Sequence, residues 1–98
     1  MSERFYVEWS EEALDDLARR LDSMTERSTS ASVRAGAAIV DAADNLAAFP
    51  NIGRVYPRDP AQRELLVPFG KGGYSLLYRL EGTAILIVGV KHQLEASY

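Results

Sequence analysis

The stretch 74-YSLLYRLEGTAILIVGVK-91 decides the fold of this chain, because it reads as two apolar β-strands separated by a short turn. Glu81 and Gly82 interrupt the apolar pattern, and a glycine at such a point favours a two-residue hairpin loop. The second strand ends at His92, the only histidine of the chain. The C-terminal part of the chain is therefore predicted to contain an antiparallel strand pair.

Further elements are predicted on the N-terminal side of this pair. Segments 4-RFYVEWS-10 and 63-RELLVPF-69 have strand patterns, the first because Phe5, Val7 and Trp9 alternate with polar or smaller residues. Ser10, followed by two glutamates, is typical of a helix N-cap. The polar run 25-TERSTSAS-32 ends that helix and begins a second one, which stops before Pro50. The predicted apolar stripe of the second helix includes Val33, Ala37, Val40, Ala43, Leu46 and Ala47. Two helices are thus predicted between the first strand and the other three.

This order of elements, βααβββ, predicts the fold class. Consecutive strands joined by short turns form antiparallel sheets, and a helical hairpin buries its apolar stripe on one face of such a sheet. With 98 residues, the chain has room for one modest core. We therefore predict a single α+β domain over residues 1–98, with both helices packed on the same face.

The hairpin register assigns side chains to the two faces of the sheet. With Glu81-Gly82 as the loop, Tyr78 lies opposite Ile85 on the face that the helices cover. His92 then falls on the face away from the helices. Three apolar side chains share that second face: Leu77, Leu86 and Val88. An apolar patch on a surface that faces water is typical of a protein interface, so a partner is predicted to cover it.

Composition excludes several classes of function. The chain has no cysteine, which rules out disulfides and thiolate metal sites and fits a reducing, cytoplasmic environment. No apolar stretch approaches the length of a membrane span, and one histidine cannot build a convincing metal site. The net charge is -3, and residues 1–53 carry ten acidic side chains against five arginines. We therefore expect no membrane association, metal or cofactor, and only limited contact with nucleic acid.

Several short segments together resemble a known family. They are the break 49-FPNIGR-54, the strands 63-RELLV-67 and 74-YSLLYR-79, and the ending 90-VKHQ-93. In this order, the chain resembles the RelE/ParE toxins of bacterial type II toxin-antitoxin systems over nearly its whole length. The histidine-glutamine pair is most similar to the ParE-like branch, whose characterised members poison DNA gyrase. The resemblance implies a growth-inhibiting cytoplasmic toxin that is neutralised by a cognate antitoxin, with which it forms a hetero-oligomer.

The resemblance also leaves a second activity open, because RelE members cut messenger RNA in the ribosome. That branch uses basic residues in the second and third strands, a basic group after the fourth, and a tyrosine six residues beyond it. The corresponding residues here are Arg63 and Leu65, Ser75, His92 and Tyr98. Two expected cations are thus missing, and the catalytic candidates of a nuclease would be Arg63, His92 and Tyr98. A third reading is a diverged member whose remaining role is to bind its antitoxin.

The candidate binding residues follow from these readings. The basic groups on and beside the last two strands are predicted to contact the target: Arg63, Arg79, Lys91 and His92. The predicted antitoxin-binding residues are the apolar patch and two helical carboxylates: Leu77, Leu86, Val88, Asp15 and Asp16. Otherwise the charges of the first helix read as a solvated face, since Asp15 and Asp16 are each followed four residues later by an arginine.

Overall fold

The computed structural model describes residues 5–93 and contains two helices and five strands among them. In chain order these are β1 (Tyr6–Trp9), α1 (Glu11–Thr25), α2 (Thr29–Asn45), β2 (Arg54–Val55), β3 (Arg63–Phe69), β4 (Gly72–Glu81) and β5 (Ala84–His92). The strands form one sheet in the order β1-β5-β4-β3-β2, in which only the β1-β5 pair is parallel. The predicted α+β fold is confirmed, and the two-residue β2 is an addition that the sequence pattern did not indicate.

The helix starts were predictable from their capping residues. The Ser10 hydroxyl accepts a hydrogen bond of 3.0 Å from the Ala13 amide, and Ser28 accepts one of 3.2 Å from Ala31. Each cap satisfies one of the amides that a helix leaves without an intrahelical partner at its N-terminus. The predicted helical hairpin is therefore set locally, at both of its starting points.

The loop between β4 and β5 begins at Gly82, which has φ 61°. A positive φ at the first central residue is what a two-residue hairpin loop of type II′ requires, and glycine adopts it without steric cost. The loop starts one residue later than the predicted Glu81-Gly82. Tyr78 consequently pairs with Ile87, and its predicted pairing with Ile85 is wrong.

A β-bulge in β5 exchanges the faces of the sheet, which the later start of the loop had left unchanged. Tyr78 pairs with Ile87, but the next residue of β4, Leu77, pairs with Gly89, so Val88 is an extra residue in β5. Because side chains alternate along a strand, one extra residue exchanges the two faces for everything that follows it. No sequence pattern marked the bulge, because every residue from 84 to 90 is apolar or glycine.

The bulge moves His92 to the helical side of the sheet. His92 pairs with Tyr74, a core residue that is 3% exposed, and the two rings are in edge-to-face contact with their centroids 5.5 Å apart. The prediction that His92 lies on the face away from the helices is therefore wrong. Its surroundings are set by α1 as well as by the sheet.

The core lies between the helices and this face of the sheet. Its fully buried members include Ile39 and Leu46 from the α2 region and Tyr78, Ile85 and Ile87 from the sheet. The rotation of α2 differs from the apolar pattern first read in the sequence. Its buried positions are Ser32, Ala35, Ile39 and Ala43, while Val33 and Val40 are 68% and 41% exposed.

A carboxylate of α1 ties that helix to the edge of β5. The last residue of β1, Trp9, pairs with Ile87, so β1 does not continue along the rest of β5. There the Asp16 carboxylate accepts a hydrogen bond of 3.2 Å from the Val90 amide and also binds Arg19. Asp16 thus satisfies a sheet amide that its neighbouring strand leaves unpaired.

Replacing Asp16 with Ala is expected to lower the free energy of unfolding by about 1 to 2 kcal/mol, because a half-buried hydrogen bond to a charged acceptor is lost. Asp15→Ala is the matched control, since Asp15 is exposed on the same helix, and we expect a change within about 0.5 kcal/mol. Urea denaturation measures both. Equal effects of the two substitutions would contradict the assigned role of Asp16.

Candidate functional site

A basic pocket lies where α1 meets the ends of β4 and β5. It has a volume of about 200 Å³. Seven residues line it: Arg19, Arg20, Ser23, Met24, Arg27, Tyr74 and His92. Four of them belong to α1 and recur at intervals of three and four residues, which places them on one face of the helix, while Arg27 lies in the turn that follows. Three guanidinium groups, two hydroxyls and an imidazole therefore surround one small cavity, which we call the basic pocket.

Tyr74 forms the inner wall of the basic pocket. Its ring contacts His92 on one side and Phe69 on the other, with a centroid distance of 6.3 Å to Phe69. Burial raises the pKa of the Tyr74 hydroxyl above its ordinary value, and the positive charges of Arg27 and Arg20 offset part of that rise. The phenol is thus a neutral hydrogen-bonding group close to two guanidinium groups.

Arg63 lies in a different part of the molecule and has structural contacts. Its guanidinium donates hydrogen bonds to the backbone carbonyls of Gly53, at 2.7 Å, and Asn51, at 3.4 Å. Arg63 pairs with Tyr78, whereas His92 pairs with Tyr74. Four residues of β4 separate these pairs, about 13 Å along the strand. The structure therefore does not bring the two basic nuclease candidates, Arg63 and His92, together.

The two other basic candidates lie on the face away from the helices. Arg79 forms an ion pair of 2.6 Å with Glu81. The Lys91 ammonium lies 3.4 Å from the Tyr56 hydroxyl and 5.7 Å from the centroid of that ring. Lys91 pairs with Ser75, which is four residues from Arg79 along β4. The four predicted target-binding residues thus do not form one compact site, and Lys91 and His92, although consecutive in β5, lie on opposite faces of the sheet.

The remaining nuclease positions offer no further cation. Ser75 is fully buried, and its hydroxyl has no hydrogen-bond partner within residues 5–93. Leu65 is half-buried and packs against the core. Tyr98 lies outside the described residues. The cations around His92 come instead from α1 and the turn after it, and the sequence pattern had indicated only a solvated charged face for that helix.

The predicted antitoxin-binding residues have unequal exposure. Leu77 is only 6% exposed, and Leu86 and Val88 are half-buried. Asp15 is exposed, and Asp16 is occupied by the Val90 amide and Arg19. Apolar side chains around β2 and the turn before it are much more exposed: Phe49 at 61%, Ile52 at 59% and Val55 at 50%. The antitoxin-binding assignment stays a prediction.

An ion pair on the outer face, between an exposed arginine and a buried glutamate, explains part of this burial. Glu64 is 3% exposed and accepts two hydrogen bonds from the Arg54 guanidinium, at 2.7 and 2.9 Å. Tyr56 follows β2 and reaches across to Lys91 on β5. The chain itself therefore covers part of the outer face, which the sequence pattern had left for a partner.

Neither a metal-binding cluster nor a membrane-spanning helix is found in the part of the chain that the structure describes. Residues 5–93 contain no cluster of three or more histidine, cysteine, aspartate or glutamate side chains that could hold a metal ion. Within the same range, neither helix is long and apolar enough to cross a membrane.

The buried tyrosines predict how stability changes in alkali. Burial raises the pKa of Tyr78 above its ordinary value of 10.0, and the Gly53 amide and Arg63 offset part of the rise. Burial is also the main reason that the pKa of Tyr74 is raised. A phenol with a higher pKa in the folded chain keeps its proton to a higher pH when the chain is folded. Its contribution to the free energy of unfolding is therefore complete below about pH 10 and is lost as the pH rises above that value. Urea midpoints measured across this range are expected to fall with rising pH, and less steeply in Tyr78→Phe. A flat profile would contradict the assignment.

Comparisons with known proteins agree on one family and one fold. A family model described as the ParE toxin of type II toxin-antitoxin systems, parDE, matches residues 7–96. Toxin RelE1 of Caulobacter vibrioides is 34% identical over 91 residues, which are 93% of this chain and 96% of that protein.

Two solved structures share the fold. A chain of the chromosomal ParDE toxin-antitoxin system from P. aeruginosa has a TM-score of 0.76 and 22% identity, covering 90% of this chain and 95% of that one. A chain of the toxin-antitoxin complex RelBE2 from Mycobacterium tuberculosis has a TM-score of 0.65 and 24% identity, covering 92% and 99%. At these identities, the likeness concerns the fold alone.

Proposed function

This chain belongs to the ParE/RelE family of toxins of type II toxin-antitoxin systems, and we propose that it inhibits growth by binding and poisoning DNA gyrase. In this proposal it acts in the cytoplasm as a ParE-like toxin, without making or breaking covalent bonds itself. A cognate antitoxin keeps it inactive in a hetero-oligomer.

The observation that carries the proposal is the separation of the nuclease candidates. Cleavage of RNA needs an acid-base group and cations at the same phosphate, because charge develops there in the transition state. His92 lies beside α1, while Arg63 lies about four strand residues away and donates to backbone carbonyls. Ser75, where the RelE pattern has an arginine, is buried. A toxin that acts by binding needs none of this geometry.

The charge of the chain supports a protein target. The net charge is -3, and each phosphate contact in a nucleic-acid interface needs a cation of its own. Lys91 and His92, adjacent at the end of β5, are the pair we place at the gyrase contact. Arg63 and Arg79 are proposed as outlying contacts, since their present partners are backbone carbonyls and Glu81 respectively.

One observation favours the alternative of a ribosome-dependent endoribonuclease. Three arginines, two from α1 and one from the turn after it, lie around His92 and supply cations that the family pattern places elsewhere. The relative in Caulobacter vibrioides also carries the name RelE1. Primer extension on abundant messages after induction of the toxin distinguishes the two activities. We expect no new cleavage sites in codon register, and sites that disappear in His92→Ala would establish the nuclease instead.

An antitoxin partner is proposed from the solved neighbours, both of which are described as toxin-antitoxin systems or complexes. We place the antitoxin over the half-buried outer face at Leu86 and Val88, with a separate contact at the exposed Asp15 of α1. Leu77 would be covered only at its edge, since it is 6% exposed. Hydrogen exchange with and without antitoxin tests the placement: β4 and β5 are expected to gain protection, and unchanged exchange there would contradict it.

Binding to gyrase tests the proposal without the antitoxin. Purified chain is expected to bind immobilised gyrase at micromolar concentration or tighter, and Lys91→Ala with His92→Ala is expected to weaken that binding roughly 10-fold or more. Arg34→Gln is the control, because Arg34 lies on α2 and contacts Ser30. If the toxin arrests growth but shows no affinity for gyrase, another target must be sought.

A further inference from the structure

The helical hairpin has an exposed apolar face as well as the buried one that packs on the sheet. Leu14 on α1 is 50% exposed, and Val33 and Val40 on α2 are 68% and 41% exposed. Ala18 and Ala37 are exposed in the same two rows, at helical spacings of three and four residues. The water-facing side of a helix normally carries polar residues, and an exposed apolar patch is typical of a protein interface. We call these five residues the hairpin face.

The two helices that carry the hairpin face are held firmly together. The Ser32 hydroxyl donates a hydrogen bond of 3.0 Å to the Leu21 carbonyl, so a side chain of α2 binds the backbone of α1. A Cβ atom at Gly36 would lie 3.3 Å from the Cδ1 atom of Leu21, which shows how closely the helices approach. With 15 and 17 residues, α1 and α2 are about 20 to 25 Å long. A partner therefore meets a preformed surface that matches a helix of about four turns.

The charge around the hairpin face is negative. Residues 11–45 contain eight aspartate or glutamate side chains, four arginines and no lysine. Two exposed carboxylates continue the apolar rows, since Asp22 follows Ala18 by four residues and Asp44 follows Val40 by four. The helices of a hairpin run in opposite directions, so these carboxylates lie toward opposite ends of the face. A partner with a cation near each end is therefore favoured.

These features favour one class of occupant, an amphipathic helix with basic flanks. A helix packs apolar residues spaced three, four and seven apart against neighbouring helices, whereas an added strand would find no free backbone edge on this face. A second copy of this chain would bring another acidic hairpin against the first, and like charges across an interface oppose binding. A nucleic acid is disfavoured for the same electrostatic reason.

We infer that the hairpin face binds an amphipathic helix of the antitoxin, with apolar residues along one side and Lys or Arg at its flanks. The inference rests on the antitoxin partner proposed above and is independent of the gyrase target. It adds a second contact to the one placed over Leu86 and Val88, and it accounts for the separate contact at Asp15, which follows Leu14. Two linked contacts on opposite sides of the toxin would bind more tightly than either one alone.

The apolar residues of the face provide the first test, in which the affinity of the full chain for the antitoxin protein encoded beside it is measured by calorimetry. Val33→Gln and Val40→Gln are each expected to weaken binding roughly 10-fold, because each removes apolar contact area. Ile52→Gln is the matched control, since Ile52 is 59% exposed in the turn before β2 and lies outside both antitoxin contacts. Its affinity is expected to change less than about threefold. Urea denaturation shows that each variant is folded.

The acidic residues beside the face provide the second test. Asp22→Asn combined with Asp44→Asn is expected to weaken antitoxin binding roughly fivefold, since exposed ion pairs contribute little each. The affinity of this double variant is also expected to depend less steeply on salt between about 0.05 and 0.5 M. Asp59→Asn is the control, because Asp59 lies in the loop before β3 and an asparagine keeps the oxygen that accepts from the Ala61 amide.

Unchanged affinity in both valine variants, or an equal loss in Ile52→Gln, would overturn the inference. Self-association of the chain without antitoxin, measured by sedimentation and abolished in Val33→Gln, would assign the face to a second copy instead. When the Lys and Arg residues of the antitoxin are replaced by Gln one at a time, at least one is expected to show no additional loss with the Asp22→Asn, Asp44→Asn variant. Additive losses throughout would contradict the basic flanks. Gyrase binding is measured without antitoxin, and the outer-face contact by hydrogen exchange of β4 and β5, so each proposal can fail separately.

Discussion

Gly73→Ala is expected to lower the free energy of unfolding by about 3 kcal/mol or more, because a Cβ atom at this position would lie 2.5 Å from the backbone carbonyl oxygen of Val67. Gly73 pairs with Pro68 in the β3-β4 ladder, so neither backbone can move away without breaking strand pairing. The clash involves backbone on both sides and cannot be relieved by rotation of a side chain.

Gly72→Ala is the matched control, one residue earlier in the same strand. A Cβ atom there would meet the Cε1 atom of His92 at 3.3 Å, and an imidazole can rotate by the small amount needed. We expect a loss below about 1 kcal/mol for this variant. Urea denaturation of the two proteins measures the difference, and equal stabilities would show that the backbone at Gly73 is free to shift.

Tyr78→Phe is expected to lower the free energy of unfolding by about 2 to 4 kcal/mol, although the substitution removes a single oxygen atom. The Tyr78 hydroxyl donates to the Pro50 carbonyl at 2.8 Å and accepts from the Gly53 amide at 2.9 Å. Both Tyr78 and Gly53 are buried, so the amide would lose its partner with no water to replace it. Arg63 bonds the same turn through the Gly53 carbonyl and would lose its fixed acceptor.

Tyr56→Phe is the control for the loss of a hydroxyl. The Tyr56 hydroxyl lies 3.4 Å from the Lys91 ammonium, and both residues are half-buried, so water can replace the contact. We expect a change below about 1 kcal/mol. If Tyr78→Phe were as mild as Tyr56→Phe, the turn at residues 50–53 would not depend on the Tyr78 hydroxyl.

The elements of this fold were predictable because local chemistry sets each of them. Ser10 and Ser28 cap the helices, and Gly82 takes the positive φ that the hairpin loop needs. These signals lie within a few residues of the structures that they determine. The order βααβββ and the placement of both helices on one face followed from them directly.

The faces of the sheet were less predictable, because they depend on a single inserted residue. Val88 lies in a run where every residue is apolar or glycine, so the alternation gave no indication that it bulges. Its bulge alone moved His92 from one face to the other. The rotation of α2 was misread for a related reason, since alanines on several sides of that helix leave its apolar stripe poorly defined.

The basic pocket was also not predicted from the sequence, because the charges of α1 are spaced as they are on a solvated helix surface. Arg19 and Arg20 each follow an aspartate by four residues, which is the usual pattern of a solvated helix surface. In the structure Arg19 pairs with Asp16, three residues before it, and Asp16 turns toward the Val90 amide. The sequence does show that Arg20, Ser23 and Arg27 are spaced three and four residues apart. That spacing indicates a pocket only when the end of β5 is known to lie beside α1.

The supercoiling activity of purified DNA gyrase, measured with increasing amounts of this chain, tests the central claim most directly. If the chain is a ParE-like toxin, supercoiling is inhibited or cleaved-DNA complexes accumulate, and prior addition of the antitoxin restores normal activity. The Lys91→Ala, His92→Ala double variant is expected to be weaker, and Arg34→Gln to match the unmodified chain. Supercoiling that is unaffected at a micromolar excess of folded toxin, in a preparation that arrests growth when induced, would contradict the account.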